Sequence, residues 1–160
     1  MNELKSCSDN LICLTGGKRG LLADLLGDGL IRQSRQWLSQ LREVFSDRIY
    51  AEIQWHTPED QYWMMSLADL SSSLGIPLVA THNVEYLSPQ DHDLQRVATG
   101  IRLNTTLYAL PTETSAFEHS VLLTEQEMFA RLGQYPAALT VTQEIAERCS
   151  FDLPLGQPHF

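Results

Sequence analysis

Basic residues are scarce in this 160-residue sequence, and nowhere do they form a run. Lysine and arginine together number 11 against 20 aspartates and glutamates, so the formal net charge at neutral pH is −9. A protein that binds nucleic acid on its own needs clustered cations to displace the counterions of the phosphates. The composition therefore argues against an autonomous DNA-binding protein. Any contact with DNA is expected to go through another part of a larger protein.

Long apolar runs and paired cysteines are also missing. No apolar stretch approaches the roughly 20 residues that span a membrane, and the N-terminal sequence MNELKSCSDN lacks the apolar core of a secretory signal. The three cysteines, at positions 7, 13 and 149, are odd in number and lack the spacing of a metal site. We therefore expect a cytoplasmic protein with reduced thiols and no membrane contact.

Short apolar runs alternate along the chain with amphipathic stretches. The runs at 10–15, 48–55 and 76–81 have the pattern of buried strands. Helical spacing and start and stop signals predict helices over 21–26, 30–45, 57–74, 88–101, 124–133 and 137–149, with a long loop over 102–120. This alternation predicts a parallel α/β fold. Because three strands close a sheet poorly, we expect part of a larger sheet, with an unpaired apolar edge that leads to self-association or marginal stability.

Polar residues follow each predicted strand, where parallel α/β folds carry their sites. The first strand leads into GGKRG (16–20), which is either a weak phosphate cradle or a tight glycine turn. The second ends at His56, a candidate metal ligand or a structural hydrogen-bonding group. After the third, Asn83 and Glu85 are two residues apart and point the same way on an extended chain. An Asp-x-His pair there would be a credible metal ligand pair, whereas Asn is a weak ligand and Glu alone is insufficient.

Four segments together resemble a known family. In chain order they are LICLTGGKRG, DRIYAEIQWH, LGIPLVATHNVEYLSPQD and YPAALTVTQEIAERCSFDLPLG. They resemble the PHP (polymerase and histidinol phosphatase) domain of bacterial C-family DNA polymerases, which are the DNA polymerase III alpha subunits and their error-prone relatives. The resemblance covers about 10–160. LQRVATGIR and SVLLTEQEMFARLGQYPAAL are closer to the error-prone branch, while the replicative branch stays open.

The resemblance implies a partial distorted β/α barrel of the PHP type, with parallel strands alternating with helices and a C-terminal helical segment. It divides the chain into a partial PHP β/α domain (1–110), a helical C-terminal part of the PHP region (111–150) and a junction towards further polymerase domains (151–160). The family's earlier metal motifs, His-x-His and Thr-Asp-His, have no counterpart, so the chain is expected to correspond to the C-terminal portion of the domain.

The same resemblance implies a degenerate metal site. Metal-competent members hold Zn or Mn at the strand ends, with a Cys where this chain has Gly17, a His at His56, and an Asp-x-His where it has Asn83 and Glu85. His56 alone keeps its type, and one histidine cannot hold a metal cluster. No cofactor is therefore expected for this chain.

Three functions remain open. The first is a non-catalytic structural module of a DNA polymerase that acts in replication or error-prone repair, inactive by itself, with the remaining polymerase domains as partners and a proofreading exonuclease subunit as a further candidate. The second is a metal-dependent phosphoesterase or 3′-5′ exonuclease of the PHP type. The third is a stand-alone interaction protein that reuses the fold.

Overall fold

Seven helices alternate with, and then follow, three strands in the part of the chain that the structure describes. The computed structural model describes residues 2–111, 114, 116–151 and 156. The elements in chain order are α1 (Asn2–Ser6), β1 (Cys13–Leu14), α2 (Leu21–Gly27), α3 (Ile31–Phe45), β2 (Ile49–Ile53), α4 (Asp60–Leu74), β3 (Leu78–Ala80), α5 (His92–Arg102), α6 (Glu125–Leu132) and α7 (Pro136–Arg148). Apart from positions 151 and 156, the predicted junction lies outside the described residues.

The strands form one parallel sheet in the order β1-β2-β3. Cys13 pairs with Ile49 across the first interface, and Ala51 pairs with Leu78 across the second. The predicted class, parallel strands alternating with helices, is therefore confirmed. The first strand is shorter and less buried than predicted, because it lies at the edge of the sheet and leaves the side chain of Leu14 40% exposed.

The core surrounds the central strand β2, whose residues Ile49 and Ile53 are almost fully buried. Helices α2, α3 and α4 place apolar side chains in the same cluster at the spacing that predicted their helical form. The contributing residues are Leu22 and Leu26 of α2, Leu38, Leu41 and Phe45 of α3, and Trp63, Met64, Leu67 and Leu70 of α4.

Helix α4 begins later than predicted. The sequence TPED favours Thr57 as the N-cap and Pro58 as the first helical residue, but the helix begins at Asp60. The Asp60 carboxylate accepts hydrogen bonds from the backbone N–H groups of His56 (2.7 Å) and Thr57 (2.8 Å), which holds the preceding turn outside the helix. The end is as predicted: Gly75 adopts the left-handed conformation with φ 63°, which favours glycine.

The C-terminal helices α6 and α7 pack against each other. Thr124 and Glu127 form the predicted capping box at the start of α6, with the Glu127 carboxylate 2.7 Å from the Thr124 backbone nitrogen. Helix α7 packs against β3, and its Thr142 hydroxyl donates to the carbonyl of Ala80 at 2.9 Å. Within the described residues, no helix has the length and apolar character to cross a membrane.

Candidate functional site

The carboxyl ends of the three strands meet at one edge of the sheet because neighbouring strands are parallel. β1 continues into the turn at 16–20, β2 into 54–56, and β3 into 81–85. All the ligand positions predicted from the sequence lie in these three segments. The sheet therefore places them at the edge where parallel α/β folds carry their sites.

A hydrogen-bonded network of polar side chains fills this edge. The Gln54 amide nitrogen donates to the Glu52 carboxylate and to the Thr81 hydroxyl, both at 3.0 Å. The Gln54 amide oxygen accepts from the backbone N–H of Lys18 at 3.3 Å. The Thr81 hydroxyl donates in turn to Glu52 at 2.5 Å. Gln54 thus links all three strand ends through one buried amide.

The Gln54 amide lies where a side chain at position 17 would lie. A Cβ added to Gly17 would come within 1.9 Å of the Gln54 amide oxygen and 2.0 Å of its amide carbon. Such distances are far below van der Waals contact. A larger residue at position 17 would therefore require either the Gln54 side chain, which directly follows β2, or the turn at 16–20 to move.

An ion pair lies beside this network. The Lys18 ammonium is 2.7 Å from the buried Asp60 carboxylate and 3.3 Å from the Thr57 hydroxyl. Burial by itself would raise the pKa of Asp60. The hydrogen bonds from Lys18 and from the backbone N–H groups of Thr57 and His56 outweigh burial and lower the pKa. Asp60 is thus an ionised carboxylate already held by a cation and two amides.

His56 is the most enclosed of the predicted ligand residues, with 1% of its surface exposed. Its ring stacks between His82, at a centroid distance of 4.8 Å, and Phe117, at 4.6 Å. Burial first, and then the nearby His82, lowers its pKa to about 4, so the imidazole is neutral near pH 7. Neither ring nitrogen has a hydrogen-bond partner among the described residues. Among the described residues the His56 ring thus makes no side-chain hydrogen bond, and its role stays a prediction.

Asn83 and Glu85 do point together, as their spacing predicts. The Asn83 amide donates to one oxygen of Glu85 at 2.9 Å, and the Gln95 amide donates to the other at 3.1 Å. Glu85 is exposed. These two side chains are joined to each other and to α5, and neither is bonded to the ring of His56.

The residues at the predicted ligand positions do not fit a metal cluster. Position 17 has no side chain, the Asp60 carboxylate nearest to His56 is paired with Lys18, and the Asn83–Glu85 pair is bonded at the surface. In the described part of the chain, no three His, Cys, Asp or Glu side chains are placed to hold one metal ion. His56 is a chemically suitable ligand, but a single imidazole does not hold a cluster.

Several residues of this edge were missed in the sequence. Gln54 directly follows β2 and lies two residues before His56, and its polar side chain next to a buried strand is a signal in the sequence. Asp60 belongs to the helix start TPED, and its position four residues after His56 also allows it to accept a hydrogen bond from the His56 backbone. Phe117 lies in a stretch without periodicity, so the sequence carried no signal for its stacking on His56.

No protein-family model matches the chain, whereas individual proteins do. It is 28% identical over 155 residues to the DNA polymerase III subunit alpha of Pseudomonas aeruginosa, which covers 96% of this chain and 13% of that protein. It is 27% identical over 151 residues to the DNA polymerase III subunit alpha of Escherichia coli strain K12, covering 94% and 13%. It is 32% identical over 134 residues to error-prone DNA polymerase 1 of Agrobacterium fabrum, covering 83% and 12%. The chain thus spans about an eighth of the length of these relatives.

Proposed function

Because the chain belongs to the family of bacterial DNA polymerase III alpha subunits and error-prone DNA polymerases, we propose that it is a non-catalytic structural module of such a polymerase. In this proposal it is the C-terminal portion of a PHP domain, part of a distorted β/α barrel, with a degenerate metal site. It packs against the remaining polymerase domains in the cytoplasm, and DNA is contacted through the parent polymerase. In the replicative branch, a proofreading exonuclease subunit is a further partner.

The observation that carries this proposal is the position of the Gln54 amide. It occupies the volume that a ligand side chain at position 17 would need, and it is fixed there by bonds to Glu52, Thr81 and the Lys18 backbone. In this network the polar side chains form their hydrogen bonds with one another, which stabilises the strand ends. The side chains are therefore not directed at a substrate. This arrangement supports a structural role for the edge.

The charges around His56 support the same proposal. Burial and then the nearby His82 lower the pKa of the imidazole most, Asp60 raises it, and Lys18 and Arg131 lower it by smaller amounts. A divalent cation placed there would be repelled by Lys18 and Arg131 and would gain one neutral ligand, while the attracting carboxylate of Asp60 is already paired with Lys18. The electrostatics therefore disfavour a metal at this position.

Metal content after exhaustive dialysis tests the proposal. We expect less than one Zn or Mn per chain by inductively coupled plasma mass spectrometry after growth in medium supplemented with both metals. More than one tightly held ion per chain would overturn the structural role. It would favour the alternative function, a metal-dependent phosphoesterase or 3′-5′ exonuclease of the PHP type. The feature that favours this alternative is His56, a neutral imidazole whose ring nitrogens have no hydrogen-bond partner among the described residues.

Restoring two ligands gives a sharper comparison. The double variant Asn83→Asp/Glu85→His places a carboxylate and an imidazole at the predicted ligand positions, and three ligands with His56 can bind Zn. We expect a gain in Zn or Mn affinity by calorimetry, with no phosphoesterase turnover. A control variant, Asn104→Asp/Glu125→His, makes the same changes at two other exposed positions. Equal metal binding by the two double variants would show that positions 83 and 85 do not face a common site with His56.

A further inference from the structure

Helix α5 is amphipathic, and its apolar side faces the solvent. Leu94 and Ile101 expose 68% and 76% of their surface and Val97 exposes 41%, and Ala98 between them is also exposed. These four residues, the apolar stripe of α5, follow helical spacing along most of the helix. A surface helix normally packs such a stripe onto the core, and exposed apolar patches mark interaction surfaces. The stripe is therefore a candidate docking surface.

The side of α5 that contacts the rest of the chain is polar instead. The Gln95 amide nitrogen donates to Glu85 at 3.1 Å, and its amide oxygen accepts from the backbone N–H of Ala116 at 3.3 Å. Thr99, one turn further along the same side, is buried. These contacts fix the orientation of the helix, so the apolar stripe cannot turn inwards without breaking them.

The spacing of the apolar stripe is symmetric about the point between Val97 and Ala98. In an antiparallel pair of α5 helices centred there, Leu94 lies opposite Ile101 of a second copy, and Val97 lies opposite Ala98. The small Ala98 side chain allows the two helices to approach closely at the centre. A two-fold symmetric dimer needs a surface that is complementary to itself, and this stripe meets that condition.

The charges at the two ends of α5 complement each other in the same antiparallel pair. Asp93 precedes the stripe and has 89% of its side chain exposed, although it lies 3.6 Å from Arg96. Arg102 follows the stripe and is exposed. The two residues end the neighbouring i, i+4 ridges of this face, 93–97–101 and 94–98–102. Helices whose ridges of this kind interlock cross at about −50°, and this crossing carries Asp93 of each copy towards Arg102 of the other.

We propose that the apolar stripe of α5 is the interface of a two-fold symmetric, antiparallel dimer of this chain. Burial of Leu94, Val97 and Ile101 supplies the attraction, and the two pairs of Asp93 with Arg102 fix the direction of the helices. A helix of 11 residues is about 16 Å long, so the interface is small and the dimer dissociates on dilution. The inference is independent of the role in a polymerase and concerns a different surface from the β1 edge.

Sedimentation equilibrium of the whole chain, over a wide range of concentrations at physiological ionic strength, tests the dimer. Ile101→Glu brings one unpaired carboxylate per copy into the interface, and we expect at least tenfold weaker dimerisation. Met65→Glu makes a similar apolar-to-acid change at an exposed position on α4 and should dimerise as the parent does. Leu14→Glu alters the β1 edge and should leave the α5 dimer intact.

Charge reversal tests the antiparallel direction. Asp93→Arg and Arg102→Asp each place like charges beside one another in both pairs, and we expect each variant to dimerise at least about threefold more weakly. The double variant, and an equimolar mixture of the two single variants, should regain the affinity of the parent. The two positions are about 13 Å apart along one helix, so this recovery has to come from contacts between copies.

Three results would overturn the proposal. A monomer at all concentrations would leave the stripe to a different partner, such as another polymerase domain. A dimer that persists in Ile101→Glu and is lost in Leu14→Glu would place the association at the β1 edge. No recovery in either the double variant or the mixture would contradict the antiparallel pairing. All these positions are exposed, and circular dichroism of each variant confirms that the fold is retained.

Discussion

Replacing Gly17 by alanine directly perturbs the contact between the first two strand ends. The added methyl carbon would lie 1.9 Å from the amide oxygen of Gln54 and 2.5 Å from its amide nitrogen. Gly17 is not among the residues with positive φ, so alanine needs no strained backbone. The only way to relieve the overlap is for the Gln54 side chain or the turn itself to move.

The cost follows from the bonds that Gln54 would lose. Its amide makes three hydrogen bonds, two from the nitrogen to Glu52 and Thr81 and one to the oxygen from the Lys18 backbone. Each contributes about 0.5–1.5 kcal/mol net, and the loss of glycine's freedom in the unfolded chain returns about 0.4–1 kcal/mol. We therefore expect Gly17→Ala to lower the free energy of unfolding by about 2–3 kcal/mol.

Urea denaturation of the parent and of four variants (Gly17→Ala, Gln54→Ala, the two combined, and Gly27→Ala) measures this quantity through the midpoint at constant slope. Gly27→Ala is the matched control, because its added carbon meets no atom within 4 Å, and we expect it to be neutral or slightly stabilising. In the double variant Gly17→Ala/Gln54→Ala the overlap is gone, so its cost should be well below the sum of the single variants. A loss under about 0.5 kcal/mol for Gly17→Ala, or full additivity, would refute the reasoning.

Three further outcomes are expected. As pH falls from 6.5 to about 4, the unfolding free energy should drop by about 3 kcal/mol, because His56 stays neutral in the folded chain and binds a proton when unfolded; an identical pH slope for His56→Phe in urea denaturation would contradict this. Thr124→Ala should lower thermal stability by about 1 kcal/mol through loss of the α6 capping box, and Thr106→Ala, at a position whose side chain makes no capping bond, should cost less. Sedimentation should detect self-association through the β1 edge, where Leu11 and Leu14 are exposed, and a stable monomer at high concentration would contradict it.

Helices and strands could be predicted where the spacing of apolar residues along the sequence matches the face that is buried. Helix α3 has its apolar residues on one face, and Leu38, Leu41 and Phe45 are buried there. The extent of β1 could not be predicted, because its burial depends on which strands lie beside it. An apolar sequence indicates affinity for a core but does not supply the neighbouring strand that would cover Leu14.

The start of α4 could not be predicted for a different reason. The residue order TPED matches a common helix start, and local preference therefore places the cap at Thr57. The structure uses Asp60 to hold the backbone of His56 and Thr57, and its own charge is compensated by Lys18 from another strand end. A contact across 42 positions of sequence overrides the local preference, and a single sequence carries no mark of that pairing.

The candidate site contains both a feature that the sequence predicts and a contact between distant residues that it does not predict. The family resemblance predicts that position 17 lacks a ligand side chain, and this stays a prediction. The resemblance carries no information on Gln54, which directly follows β2 and occupies the volume that a side chain at position 17 would fill. The two positions therefore depend on each other, since any ligand restored at position 17 would collide with the amide unless Gln54 became smaller. Because the same amide holds Thr81 and Glu52, making it smaller would also release the polar groups of the other strand ends.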